Sequence, residues 1–115
     1  MRSDLKAAAP SVAALAADAE RLAHNAKRAA DLLKALAHEN RLMILCILAQ
    51  GEKSVSELEQ MLSLRQPTVS QQLARLRADG LVTPRRHGKT IHYSLTSKEA
   101  RVVLGAVYAV FCGPA

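Results

Sequence analysis

Aromatic residues are scarce in this chain: among 115 residues there is no Trp, two Tyr and one Phe. A hydrophobic core must therefore be made from Leu, Ile, Val and Ala, a composition that favours helix packed on helix. No run approaches the ~18 consecutive apolar residues of a membrane span, and the opening MRSDLKAAAP has no apolar h-region. The expectation is a cytoplasmic chain with no membrane partner. Cysteine is nearly absent as well, with only Cys46 and Cys112. There is no C-x-x-C pair and no Cys–His–acid set at useful spacing, which argues against a thiol oxidoreductase or sulfur-transfer enzyme. No catalytic residue and no cofactor is expected. In a reducing compartment the two thiols rest unpaired, and a bond between them would be regulatory rather than a permanent staple. Linkers are missing too. Residues 1–10, small and polar and ending in Pro10, read as a disordered arm, and 11–115 as one domain.

What the chain does have is a localised positive charge. Of the formal +6, most falls between Arg65 and Lys89, where six Lys or Arg face a single acid, Asp79. A concentrated basic surface is what neutralising a phosphate backbone requires, and binding through it weakens as salt rises.

Along the chain, Ser11 is a candidate N-cap for a first helix reaching about Arg28. Its Val12, Leu15, Ala19, Leu22, Ala23 and Ala26 draw a flat, Ala-rich apolar stripe suited to packing on a second helix. Ala29 to Ala37 predicts a short helix and HENR a corner. RLMILCILAQ predicts a helix apolar nearly all round, hence central, ended by Gly51. Ser54 and Glu57 form a capping box opening a helix to Met61 or Leu62. The next helix is expected to start at Pro67, with Gln66 at the cap, and to stop at Gly80. Leu81 to Arg86 and Thr90 to Leu95 predict two strands joined through His87-Gly88, with Pro84 confining the first to an edge and Ile91, Tyr93 and Leu95 on a buried face. Thr96 and Glu99 predict a second capping box before a last helix, about Ser97 to Phe111. That helix is apolar on more than one face, and a second subunit is the economical cover for it.

Two short amphipathic helices followed by a basic hairpin have the layout of a winged helix-turn-helix: a mainly α chain with a β-hairpin wing. The helix from Pro67 to Asp79 has the features of a recognition helix. Val69, Leu73 and Leu76 point inward; Thr68, Gln71 and Arg75 lie opposite, with Ser70 on the flank. Short side chains at Thr68 and Ser70 let a helix enter the major groove, Gln71 can pair with adenine, and Gln66 is a second candidate for a base edge. Arg65, Arg75 and Arg77 are placed for the flanking backbone, and Arg85, Arg86, His87 and Lys89 form a basic wing tip. Two-fold pairing would set two such helices on successive turns of DNA, so the expected partner is a pseudo-palindromic double-stranded operator.

Three stretches, LLKALAHENRLMIL, GEKSVSELEQMLSLRQPTVSQQLARLRADGLV and RRHGKTIHYSL, resemble the ArsR/SmtB family of bacterial winged-helix repressors over roughly residues 30 to 96. The resemblance implies a homodimer built from the first and last helices and a repressor released from its operator by an inducer. Where arsenic-type members carry thiols, after the GE turn, this chain has Ser54 and Ser56, poor ligands for a thiophilic ion. Zinc- and cobalt-type members bring His and Asp from the last helix; residues 97–115 contain neither, and Glu99 stands alone there. No metal site is expected.

RLMILCILAQGEKSVSELEQ and the ending AVYAVFC are similar to the dithiol subgroup of that family, the SqrR/BigR-type sulfide- and persulfide-responsive repressors. That likeness implies that Cys46 and Cys112 are sensor thiols, bridged by reactive sulfur to derepress sulfide-metabolism genes. Taken by composition alone, the same two residues would be inert core thiols. A peroxide or disulfide-stress repressor, a metal-responsive repressor, and an architectural DNA protein with no inducer are the alternatives to this function.

Overall fold

Six helices and a three-stranded antiparallel sheet make up residues 11–114, the part of the chain that the structure, a computed structural model, describes. The arm expected over residues 1–10 lies outside it. Helix α1 (Val12–Ala17) is capped as expected, the Ser11 hydroxyl accepting from the Ala14 N–H at 3.1 Å. Helix α2 (Ala19–Leu36) corrects the expected division at residues 28 and 29. The interruption comes earlier, at Asp18 (φ −98°, ψ 13°). From Ala19 to Leu36 there is neither Gly nor Pro, and Ala, Leu, Lys and Arg propagate a helix without penalty, so nothing halts it at Arg28.

The HENR corner is fastened by its own arginine. After α2 ends, His38 is extended and α3 (Glu39–Gln50) begins. The Arg41 guanidinium donates to the carbonyls of Ala35 at 2.8 Å and Lys34 at 3.0 Å in the last turn of α2, the second of which also accepts the Ala37 N–H. It also reaches Gln72 at 3.4 Å on the helix that follows the turn. Arg101, from the last helix, does the same for the other end of α3 by donating to the Ala49 carbonyl at 3.0 Å. Helix α3 thus runs through the middle of the domain, with Ile44 and Leu45 fully buried and Leu48 nearly so.

The two-residue strand β1 (Lys53–Ser54), which periodicity could not reveal, leads into α4 (Val55–Leu62). The capping box forms as expected: the Glu57 N–H donates to Ser54 Oγ at 3.1 Å, and the Ser54 N–H to Glu57 Oε1 at 2.8 Å. Ser54→Ala removes the side-chain acceptor of the Glu57 N–H. A loss of about 1 kcal/mol in unfolding free energy is expected from that change. A denaturant melt of the variant checks it.

Ser63, in the left-handed region at φ 54°, turns the chain into α5 (Gln66–Ala78). Arg65, not Gln66, is the cap residue, so Pro67 occupies the second helical position, where its missing N–H is equally harmless. Val69, Leu73 and Leu76 are buried against α3 and α4 as expected. Gly80 (φ 76°) then releases the chain into β2 (Val82–His87) and β3 (Thr90–Leu95).

The strand register, Val82 opposite Leu95 through His87 opposite Thr90, moves the turn one residue on, to Gly88-Lys89, with Gly88 at φ 61°. Sheet order β1-β3-β2 leaves β2 at the edge, where Pro84 is tolerated. Burial along β3 is graded rather than alternating: Leu95 is buried, Tyr93 partly so, and Ile91 exposed, because the hairpin projects from the body. Helix α6 (Lys98–Phe111) is capped by Ser97, whose hydroxyl accepts from the Ala100 N–H at 3.0 Å. The expected Thr96–Glu99 box does not form. Thr96 instead donates to the Leu81 carbonyl at the base of the wing, and Glu99 pairs with Arg28 at 3.1 Å, tying α6 to α2.

Candidate nucleic-acid interface

Helix α5, its cap residue Arg65 and the hairpin β2–β3 carry the proposed DNA-contacting residues. On α5, Gln71 is exposed and opposite the buried Val69, Leu73 and Leu76; Thr68 and Ser70 flank it, partly buried. Gln66 donates to the Ser70 hydroxyl one turn on, so these two polar side chains hold each other at the start of the helix. Arg75 is engaged by Asp79 at 3.0 Å, an exposed i,i+4 pair worth only a few tenths of a kcal/mol and easily given up to a phosphate. Arg65 and Arg77 are exposed and form no ion pair among the described residues.

In the wing the two neighbouring arginines are not equivalent. Directly opposed residues of an antiparallel pair share a face, so Arg85 and His87 lie with His92 and Ser94, whereas Arg86 lies with Ile91 and Tyr93. On the first face one carboxylate collects three donors. Glu52, in the loop between α3 and β1, accepts from Arg85 at 3.0 Å, Ser94 at 3.1 Å and His87 at 3.2 Å. The Arg85 guanidinium, foremost among these, holds the Glu52 carboxyl down at about 2. Its folded-state pKa is depressed, so its contribution to stability is full above the ordinary glutamate value of 4.5 and fades only as the pH falls towards 2. Near neutrality the carboxylate is always charged. The rings of His87 and His92 meet edge to face at 4.7 Å beside it. Arg86 and Lys89 are exposed, with no ion-pair partner among the described residues.

Sequence reasoning missed Glu52. The available signal was an acid just before a strand of an otherwise basic ribbon, together with Arg85 and His87 at the two-residue spacing that aims both at one point.

The cysteines sit on elements that pack together. Cys46, half-buried at the margin of the core, is on α3; Cys112 ends α6 and is exposed. Burial, and then the nearby Cys112 thiol, push the Cys46 thiol above its usual range. Ser54 and Ser56, at the places where thiols stand in arsenic-type members, have their oxygens 3.5 Å apart, and Ser54 is committed to its cap. Among the described residues no three His, Cys, Asp or Glu side chains gather as a metal site. No helix among them is long and apolar enough to cross a membrane.

Apolar side chains stand exposed on the outer helices: Leu15 on α1, Leu22 and Leu33 on α2, and Val102, Tyr108, Val110 and Phe111 on α6.

A capped helix, a tight turn, a second helix with an outward polar face and a charged β-hairpin define a winged helix-turn-helix DNA-binding protein. The model of the bacterial regulatory proteins of the arsR family matches residues 38–83. A biofilm growth-associated repressor of Agrobacterium fabrum is 54% identical over 89 residues, spanning 77% of this chain and 76% of that one. The chain belongs to the ArsR family. Its structure is similar to that of the transcriptional repressor BigR from Xylella fastidiosa, with a TM-score of 0.79 and 46% identity over 83% of this chain and 97% of the other. It is also similar to reduced HlyU from Vibrio cholerae, with a TM-score of 0.77 and 42% identity over 81% and 98% of the two chains. A winged helix-turn-helix DNA-binding domain from Mycobacterium bovis, similar at a TM-score of 0.68 and 33% identity over 78% of this chain and 83% of the other, is homodimeric. The relatives are transcriptional regulators, not enzymes, and this chain is a regulator of the same type.

Proposed function

We propose that this protein is a dithiol-switched repressor: a homodimer that binds a pseudo-palindromic operator when reduced and leaves it when Cys46 and Cys112 are bridged by reactive sulfur. Residues Gln66, Thr68, Ser70 and Gln71 of α5 read base edges. Arg65, Arg75 and Arg77 take the flanking phosphates, and the wing, which carries Arg85, Arg86, His87 and Lys89, lies over the adjacent backbone or minor groove. The two first and last helices of the pair close the dimer. The cytoplasm, where thiols are kept reduced, is the compartment in which such a switch works.

The observation that supports this reading is that Cys46, half-buried on α3, and Cys112, exposed at the end of α6, lie on two helices that pack on one another. Their environments differ in the way the chemistry needs. Cys112 is exposed and accessible to a sulfur donor, whereas burial keeps Cys46 mainly protonated. Cys112 attacks first: its thiolate takes the sulfane sulfur of an organic persulfide, becomes a persulfide itself and expels the organic thiol. Cys46, on losing its proton, then attacks the Cys112 sulfur and expels hydrosulfide, leaving a disulfide. The two cysteines lose two electrons, and the sulfane sulfur takes them up. Transfer of one further sulfane sulfur before closure leaves a trisulfide instead. A disulfide needs Cα atoms within ~7 Å, and the added sulfur of the trisulfide relaxes that limit, so closure as the trisulfide favours sulfane sulfur over peroxide as the oxidant.

The bridge ties α3 to α6. Helix α3 is fastened to α5 through Arg41 and Gln72, and α6 carries the exposed apolar face on which two subunits meet. Joining them changes the angle between subunits and with it the spacing of the two recognition helices. The test is an operator titration with reduced protein, then with cysteine persulfide, hydrogen peroxide and zinc ion in turn. Release by persulfide at doses where peroxide and zinc do nothing is expected. Equal release by peroxide would make the protein a general thiol-redox repressor, and release by zinc alone would end the sulfur reading.

A further inference from the structure

We propose that Glu52 positions the wing for DNA binding and that Arg85 is its scaffold partner rather than a phosphate contact; this rests on the reading that the wing meets DNA. Glu52 follows Gly51, the end of α3, so its carboxylate is rooted in the same central helix against which α5 packs. It takes donors from both strands of the hairpin, Arg85 and His87 from β2 and Ser94 from β3. The wing is also joined to the body by the two residue pairs of β1 with β3, Lys53 with Tyr93 and Ser54 with His92, by the buried Val82 and Leu95 at its base, and by packing of its strands on α3, α4 and α5. The carboxylate therefore sets the pitch of the hairpin relative to the recognition helix. It also occupies the Arg85 guanidinium, while Arg86, on the opposite face of the strand, and Lys89, at the turn, stay open to a phosphate.

Charge and geometry predict opposite results for one substitution. Glu52→Gln removes a negative charge from a surface that meets a polyanion, so electrostatics alone would tighten binding to any duplex. If Glu52 positions the wing, binding to a specific site should weaken. The probes are a duplex selected by the reduced wild-type protein from a random pool and an unselected duplex of equal length. Glu52→Gln is expected to bind the selected duplex about tenfold more weakly and the unselected one at least as tightly as wild type. Arg85→Gln should behave alike and leave the salt dependence unchanged, and the double variant should be no weaker than either single one. Arg86→Gln should weaken both duplexes and lower the slope of log affinity on log salt by about one.

Unweakened binding of Glu52→Gln to the selected duplex would overturn the proposal, as would an equal loss on both duplexes, the mark of a damaged fold. A drop in salt slope for Arg85→Gln would return that residue to the phosphate contacts. No effect of Arg86→Gln on either duplex would remove the wing from the DNA altogether and the proposal with it.

Discussion

Cysteine persulfide is expected to lower the affinity of the reduced protein for its selected duplex by about two powers of ten, or ~3 kcal/mol. Dithiothreitol should restore it. The size follows from what has to be disturbed: two recognition helices engaged at once gain far more than either alone, and a small change of their spacing forfeits part of that gain. Cys46→Ser and Cys112→Ser should each bind the duplex as the reduced wild type does and ignore persulfide. The two should differ in what they accumulate. Cys46→Ser keeps the exposed Cys112 and should hold a stable persulfide there, whereas Cys112→Ser, left with the half-buried and largely protonated Cys46, should react slowly. Full response of either variant to persulfide would make the thiols passive and leave some other inducer to be found.

Pairing of subunits through the outer helices has the second large consequence. Val102 is 70% exposed and Phe111 80% on α6, and Leu22 is 53% exposed on α2. Burying one such side chain fully contributes about 1.5–3 kcal/mol, so a face with several of them can hold a dimer at micromolar concentration. Leu22→Asp and Val102→Asp together would place charges in that face while leaving the domain core, which contains neither residue, untouched. Sedimentation should show a dimer for the wild type and a monomer for the double variant. The selected duplex should then bind at least about a hundredfold more weakly, since the second half-site no longer benefits from the first. A wild-type monomer, or a double variant that stays paired, would contradict the arrangement.

Helix α5 was legible in the sequence because every level of pattern agreed there. The inward Val69, Leu73 and Leu76 repeat at helical spacing, Pro67 opens and Gly80 closes, and the Ser54–Glu57 box announces the helix before it; all of these are local signals. Boundaries failed where a local signal met a tertiary partner. Glu99 stood three residues after Thr96 and suggested a box, but Arg28 on α2 claims it, and Ser97 caps alone. The expected division of the first helices at residues 28 and 29 has no counterpart in the fold, because nothing in the backbone chemistry there stops a helix.

The exposure of Ile91 has a similar cause. Alternation along β3 marks a face, but how far the face is covered depends on how far the hairpin projects from the body. Glu52 and β1 were invisible for the same physical reason. A two-residue strand has no period, and a carboxylate that gathers Arg85, His87 and Ser94 across 33 to 42 residues of chain is defined only by the fold. The two cysteines lie in between. Each was visible as a residue, while the packing of their helices α3 and α6 on one another is defined only by the fold.

Peptide mapping by mass spectrometry, after cysteine persulfide treatment and blocking of the remaining thiols, tests the sulfur switch most directly. A peptide pair joined through Cys46 and Cys112, with two or three sulfur atoms between the β-carbons and formed within one chain, is the expected product. Cys46 and Cys112 recovered as two separately persulfidated or unmodified thiols, in protein that has already left the duplex, would contradict it.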